Sequence, residues 1–261
     1  MKFNRSQRLK KTPVKCVWAF VCFWMFAFVV IGGRCCYDLK VYFLGDTLVY
    51  CVMSQSGYDY LLHLPEGYTD FGEPRPLLIY LHGAGETGKD VRKLKQHDLV
   101  RYVKGNVTAN DFPFIVVSPM TPRHGWQPKQ VVRLLDEILD DTGKRWNIDK
   151  SKIYLTGMSM GGFGTFSTAC EYPKRFAAII PVAGGGEVEK AGRLKDVPTW
   201  AFHGNADEVV AYECSSIMIQ AMQDIGCREA KLTTIEGAGH GIMSDVYSKP
   251  KIYRWLLEKR K

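Results

Sequence analysis

From about residue 58 onward, short apolar runs alternate with amphipathic stretches, and this alternation constrains the fold more than any other feature. Most runs are nearly continuous in apolar residues, which is typical of strands that are buried on both faces of a sheet. The predicted strands are Tyr58–Leu64, Leu77–Leu81, Phe114–Ser118, Lys152–Thr156, Ala178–Val182, Thr199–Phe202 and Ala230–Ile235.

The stretches between these runs have the spacing of helices. Apolar residues recur at helical intervals from Val131 to Leu139, and the segment Gly161–Glu171 is ended by Pro173. Pro250 fits the first position of a C-terminal helix. Strands that alternate with helices predict an α/β fold with a mostly parallel, twisted sheet covered on both faces. Ligands of such sheets bind at the carboxyl ends of the strands.

The N-terminus is built differently from the rest of the chain. Residues 1–34 contain seven Lys or Arg and no Asp or Glu, and an apolar run occupies residues 16–33. This plan predicts a signal peptide or a signal-anchor that directs export, so that the body is membrane-anchored, secreted or periplasmic. The body has 28 basic residues against 27 acidic ones, a balance that excludes a nucleic-acid partner. Residues 35–57 have no assignment, and residues 58–261 form the predicted catalytic domain.

A glycine-flanked serine directly follows the predicted strand Lys152–Thr156. The run Gly157-Met158-Ser159-Met160-Gly161 has the G-x-S-x-G arrangement, and a helix is predicted immediately after it. A sharp strand-to-helix turn exposes the serine hydroxyl, and glycines two positions away leave room that a Cβ would fill. The pattern predicts that Ser159 is a nucleophile. The alternative is a glycine-rich turn that happens to contain a serine.

A second loop of small residues, His82-Gly83-Ala84-Gly85-Glu86, follows the strand Leu77–Leu81. Acyl transfer needs fixed backbone N–H donors that point at the developing oxyanion. We expect Ala84 and Met160, the residue after the nucleophile, to supply these two donors. His82 precedes Ser159 in the chain and directly follows a buried strand, so we expect it to be structural.

Two later loops supply an acid and a base. Asp207 and His240 each follow a predicted strand, and His240 lies in a glycine-rich loop. The pKa range of histidine suits a base that takes and returns one proton, and a carboxylate holds the imidazole in the correct tautomer. The order Ser159, Asp207, His240 predicts a catalytic triad. Glu208 is the alternative acid.

Through these motifs the chain resembles the phospholipase/carboxylesterase branch of the α/β-hydrolases. It resembles more closely the bacterial esterases described as predicted peptidases or dienelactone-hydrolase-like proteins. The matching stretches are Leu81–Glu86, Ile153–Gly162, His203-Gly204 with Asp207 and Val210, Gly239-His240, and Tyr60–Pro65 as the opening strand. The resemblance extends from about residue 58 to the C-terminus and implies the α/β-hydrolase fold. The chain offers no stretch long enough for a large lid between the core strands.

The resemblance also implies a serine esterase that cleaves carboxylic esters through an acyl-enzyme intermediate, without a metal or an organic cofactor. Its substrate would be a small-molecule or polysaccharide ester. An uncleaved N-terminal segment would add the membrane as a partner. Two alternatives stay open: a serine peptidase or amidase that uses the same triad, and a membrane-tethered binding module without catalysis.

Trp126 is the predicted substrate-binding residue. It lies just past the strand Phe114–Ser118, which places it at the same edge of the sheet as Ser159. We expect its indole to line the substrate cleft. The alternative is an aromatic side chain that packs into the core, as large aromatic residues commonly do.

Overall fold

The computed structural model describes residues 39–44, 47–142 and 146–261. In these ranges nine strands form one sheet in the order β1-β2-β3-β5-β4-β6-β7-β8-β9. The strands are β1 (Leu39–Leu44), β2 (Thr47–Val52), β3 (Tyr60–His63), β4 (Arg75–Leu81), β5 (Ile115–Pro119), β6 (Ile148–Met158), β7 (Ala178–Val182), β8 (Thr199–Gly204) and β9 (Ala230–Ile235).

The sheet is mostly parallel, as the sequence predicts. Strands β5, β4, β6, β7, β8 and β9 pair in parallel, and β1, β2 and β3 add an antiparallel edge next to β5. The parallel strands β4, β5 and β7 are buried along almost their whole length, which explains their continuous apolar sequences. Loops that carry chemistry therefore gather at one edge, where the parallel strands end.

Helices cover both faces of the sheet. They are α1 (Leu99–Val103), α2 (Pro128–Thr142), α3 (Met160–Glu171), α4 (Glu213–Asp224), α5 (Met243–Tyr247) and α6 (Pro250–Leu257). Leu77 and Ile79 of β4 join one hydrophobic core with α2, α3 and α4. Leu78 and Tyr80 join a second core with α1, α5 and α6. The two-residue period of the strand thus divides its side chains between two separate layers.

The structure extends the sheet beyond the predicted strands. Residues 39–44 and 47–52, which lie in the segment without an assignment, form strands β1 and β2, which pair in antiparallel orientation, and β2 pairs with β3. Strand β6 is longer than the predicted Lys152–Thr156, because it begins at Ile148 and continues to the residue before Ser159. In the described part of the chain, the connections between the core strands contain no large lid.

None of the helices in the described ranges is long and apolar enough to cross a membrane. The predicted signal peptide or signal-anchor, residues 1–34, lies outside the described residues and stays a prediction.

Candidate active site

Ser159 occupies the turn between β6 and α3 in a strained backbone conformation. Its φ of 57° lies in the left-handed region, which few non-glycine residues adopt. Its N–H donates to Val182 O of β7 at 2.9 Å, so the neighbouring strand holds the turn in place. A Cβ on Gly161 would lie 1.9 Å from Leu81 O, and one on Gly157 would lie 2.5 Å from Gly161 O. Both flanking glycines are therefore required by close backbone approach.

The structure brings His240 and Asp207 together from two different loops. His240 Nδ1 lies 2.7 Å from Asp207 Oδ2. Asp207 Oδ1 accepts the N–H groups of Val209 and Val210 at 2.8 and 2.9 Å. The side chain of Asp207 is fully buried, whereas Glu208, the alternative acid, is exposed to solvent. The ring of His240 therefore contacts the acid that the sequence favoured.

The environment of Asp207 favours its ionised form. Burial raises the pKa of this carboxyl, but hydrogen bonds from His240, Val210 and Val209 lower it by more. The net pKa lies below the ordinary value for aspartate. Asp207 is thus a carboxylate at neutral pH and accepts a hydrogen bond from the Nδ1–H of His240, which leaves Nε2 of that ring available.

Hydrogen bonds hold the two loops against each other. The N–H of Ala206 donates to Ala238 O at 3.0 Å, and the N–H of Gly237 donates to Asn205 Oδ1 at 2.7 Å. A Cβ on Gly204 would lie 2.2 Å from Ala238 O, so only glycine permits this close contact. The distance between the acid and the base is consequently set by backbone packing after β8 and β9.

Ala84 and Met160 both begin helical turns beside Ser159. Ala84 is the first residue of a short 3₁₀ turn, Ala84–Glu86, and Met160 is the first residue of α3. The first hydrogen bond at the start of α3 runs from Phe163 N–H to Ser159 O, so the Met160 N–H has no acceptor within its own helix. Ser159 and Ala84 line the same cavity. This arrangement is compatible with the predicted pair of oxyanion donors.

His82 is buried and fixes the loop that contains Ala84. Its Nδ1 donates to Gly83 O at 2.6 Å, and its Nε2 accepts the N–H of Thr121 at 3.2 Å. Burial lowers the pKa of His82, and the contacts with Gly83 and Glu86 offset only part of this effect. A neutral ring that bridges two backbone segments is a structural residue, as the sequence predicts.

Trp126 does not line the cavity, and here the structure corrects the sequence prediction. Its side chain is 6% exposed and belongs to the core beneath α3. The indole Nε1 donates to His82 O at 3.0 Å, and the ring packs edge-on against His82 and Tyr58. The indole lies so close to Gly164 that a Cβ on that residue would be 2.7 Å away. Trp126 does lie in the loop that follows the carboxyl end of β5, but helix α3 covers its ring.

The cavity that contains Ser159 and His240 has a volume of about 380 Å³. One part of its wall is apolar or aromatic and comprises Tyr80, Tyr102, Met158, Val209 and Met243. Another part is polar and contains Glu86 and His97, whose side chains lie 3.7 Å apart. Sequence reasoning missed these lining residues. They come from segments far apart in the chain, and apart from Glu86 and Met158 they lie outside the quoted motifs.

Comparison with known proteins identifies the family of this chain. A family model described as Phospholipase/Carboxylesterase matches residues 71–251, which is more than half of the chain. The chain belongs to the phospholipase/carboxylesterase family. This membership confirms the resemblance and places the protein among the carboxylic ester hydrolases.

Proteins with related sequences include some that are named as esterases. A protein named "Probable feruloyl esterase C" from Aspergillus terreus is 26% identical over 203 residues, which cover 76% of this chain and 74% of that protein. The bifunctional acetylxylan esterase/xylanase XynS20E of Neocallimastix patriciarum is 28% identical over 142 residues. That match covers 53% of this chain but only 20% of the fungal protein.

The structural comparison agrees on the fold. The crystal structure of a thermostable esterase matches with a TM-score of 0.70 and 28% sequence identity, over 86% of this chain and 63% of that one. The structure of a ferulic acid esterase matches with a TM-score of 0.62 at 15% identity, over 84% of this chain and 99% of that one. These likenesses confirm the predicted α/β-hydrolase fold.

Proposed function

We propose that this protein hydrolyses carboxylic esters through an acyl-enzyme intermediate, with Ser159, His240 and Asp207 as its catalytic triad. The observation that carries the proposal is the 2.7 Å hydrogen bond between His240 and Asp207. His240 lines the same cavity as Ser159, whose backbone is strained. The proposed nucleophile, acid and base each follow a different strand of one sheet, and Ser159 and His240 line one cavity.

In the proposed reaction, His240 Nε2 takes the proton of the Ser159 hydroxyl while the oxygen attacks the ester carbonyl carbon. The imidazolium that forms is stabilised by the ionised Asp207. His240 then donates this proton to the leaving alcohol as the C–O bond breaks, and the acyl group stays on Ser159. A water molecule deacylates the serine by the same steps, with His240 again taking and returning one proton.

The oxyanion of each tetrahedral intermediate would accept hydrogen bonds from the N–H groups of Ala84 and Met160. The N-terminus of α3 adds the positive end of its dipole beneath the reacting carbon. Removing one such donor from an acyl-transfer enzyme typically raises the barrier by about 3–4 kcal/mol. Because both donors belong to the backbone, their positions depend on the His82 and Gly161 contacts that hold the two turns.

The proposed substrates are acyl esters of hydroxylated compounds, including polysaccharides. Support comes from the names of the related proteins, which describe feruloyl and acetylxylan esterases. The volume of the cavity falls in the range that is usual for small-molecule sites, about 300–1,000 Å³. Its aromatic and apolar wall suits an acyl group, and its polar wall suits hydroxyl groups. No observation in the site favours peptides over esters or favours a binding module.

Substitution of the nucleophile tests this proposal. Ser159→Ala in the full chain should reduce kcat for p-nitrophenyl acetate and methyl ferulate by about 10⁴–10⁶-fold, because it removes the attacking atom. Ser167→Ala is a matched control, since Ser167 lies on the same helix α3 and donates only to Gly164 O. The control should keep wild-type turnover.

Near-normal ester hydrolysis by folded Ser159→Ala would refute the triad. Labelling of wild-type protein by a fluorophosphonate, lost in Ser159→Ala, should accompany the activity. Comparison of aryl acetates with aminoacyl anilides at equal concentration separates the esterase from a peptidase. Faster cleavage of the anilides would indicate that the protein is a peptidase or amidase.

A further inference from the structure

A second histidine lies behind Asp207 and takes no part in the proposed reaction steps. His203 is the penultimate residue of β8, and its side chain is 0% exposed. It does not reach the cavity, so it cannot touch the substrate. Both of its ring nitrogens nevertheless have close polar partners, and one of these partners is the triad acid.

The Nε2 atom of His203 faces two oxygen atoms. It lies 3.0 Å from Val210 O and 3.3 Å from Asp207 Oδ2. A carbonyl oxygen and a carboxylate oxygen are both acceptors without a hydrogen of their own. The hydrogen between them must therefore be on His203 Nε2. This N–H separates two oxygens that would otherwise repel each other in a buried space.

The other side of the ring is held equally firmly. His203 Nδ1 lies 2.7 Å from Ser215 Oγ, and the Ser215 hydroxyl lies 2.6 Å from Gly184 O. Gly184 packs directly against helix α3, since a Cβ on it would lie 2.6 Å from the carbonyl carbon of Gly162. The ring of Tyr212 packs edge-on against the imidazole. His203 is thus tied to the helix that begins beside Ser159.

We propose that His203 is a positioning residue that holds the Asp207 carboxylate in its orientation toward His240. This inference rests on the proposed function, because it assigns the task of orienting the triad acid. Val209 and Val210 fix one oxygen of Asp207. The other oxygen accepts a hydrogen bond from His240 and lies 3.3 Å from Nε2 of His203. Without the Nε2–H, Val210 O would face Asp207 Oδ2 directly, and the carboxylate would turn away from His240.

A double-mutant cycle in the full chain tests the proposal, with kcat and KM for p-nitrophenyl acetate as the readout. An asparagine amide reaches only the position of Nδ1, so His203→Asn keeps the contact with Ser215 and loses the N–H that lies between Val210 O and Asp207 Oδ2. Loss of this N–H, which bonds Val210 O and lies beside the carboxylate, predicts a fall in kcat of about 2–10-fold with KM unchanged. A glutamine amide reaches the position of Nε2, so His203→Gln should restore most of kcat.

Whether the loss of kcat in His203→Asn depends on Asp207 distinguishes a positioning role of His203 from a purely structural one. In the Asp207→Asn background, adding His203→Asn should cause no further loss of kcat, because there is no carboxylate left to orient. Ser215→Ala, which removes the partner of Nδ1, should lower kcat less and show the same coupling. This variant also keeps the test decisive if His203→Asn does not fold.

His63→Asn is the matched control. His63 is buried and pairs with the buried Asp98, but this pair lies outside the cavity. The control should lower the free energy of unfolding and leave kcat unchanged. Undiminished kcat in folded His203→Asn, or losses that multiply with those of Asp207→Asn, would overturn the proposal. Activity of Ser159→Ala would instead overturn the proposed function itself, so the two failures are distinguishable.

Discussion

Adjacent carboxylates in the loop after β8 differ sharply in their surroundings. Asp207 is buried and accepts three hydrogen bonds, whereas Glu208 is exposed. Their neighbouring positions make them natural controls for each other, because the same loop carries both. Only the first can hold the tautomer of His240.

Asp207→Asn should therefore lower kcat for p-nitrophenyl acetate by about 10⁴-fold, because the amide holds the imidazole in the wrong tautomer. Glu208→Gln should leave kcat within about twofold of wild type, since exposed substitutions rarely disturb a buried site. Steady-state kinetics on the two purified variants measures both effects. A crippled Glu208→Gln with an active Asp207→Asn would reverse the assignment of the acid.

At the scale of elements, the contact between helix α3 and strand β4 depends on Gly161, which has no side chain. A Cβ on Gly161 would lie 1.9 Å from Leu81 O, and a backbone atom cannot move away as a flexible side chain can. The same contact sets the distance between the two turns that begin with Ala84 and Met160. Helix position and the proposed oxyanion donors are thus coupled.

Gly161→Ala should destabilise the fold by about 1–3 kcal/mol or more, because overpacking pushes α3 away from the sheet. It should also lower kcat in whatever fraction folds. Gly88→Ala is the control, since no atom lies within 4 Å of a Cβ at that position. Urea denaturation of both variants measures the difference. Equal midpoints would show that α3 and β4 can separate without cost.

At the scale of the whole molecule, the body and the N-terminus have different charges. The basic residues before the apolar run favour retention of the N-terminus in the cytoplasm and transfer of the following residues across the membrane. We propose on this ground that the hydrolase domain is exported, either anchored or cleaved from its leader. Esters of polysaccharides outside the cell would then be within its reach.

Expression of the full chain in a bacterial host tests export. We expect the hydrolase domain to be degraded when intact spheroplasts receive protease, or to be found in the medium. Replacement of Lys10, Lys11 and Lys15 with serine should reduce the exported fraction, because it weakens the positive-inside signal. A full-length protein found soluble in the cytoplasm with residues 1–33 attached would contradict export.

Much of the fold could be predicted because its signals are local. Strand Ala178–Val182 begins and ends at the predicted residues, because its continuous apolar run marks a strand that is buried on both faces. Strand Ala230–Ile235 also has the predicted bounds, although most of its residues are only half-buried. The antiparallel pair of strands β1 and β2 was not predicted. Edge strands carry a weaker pattern, and their pairing with β3 is a contact between segments that the local sequence does not specify.

By itself, the sequence determined the α/β fold with its mostly parallel sheet and the glycines that flank Ser159, because each depends on residues close together in the chain. The resemblance of its motifs implied the α/β-hydrolase fold. Only the tertiary structure decided which carboxylate contacts His240, that Trp126 is covered by α3, and that His203 lies against Asp207. These outcomes depend on how separate loops meet at the end of the sheet. Close contacts between backbone segments, such as that of Gly204 with Ala238, determine how these loops lie against each other, and no local sequence pattern encodes such contacts.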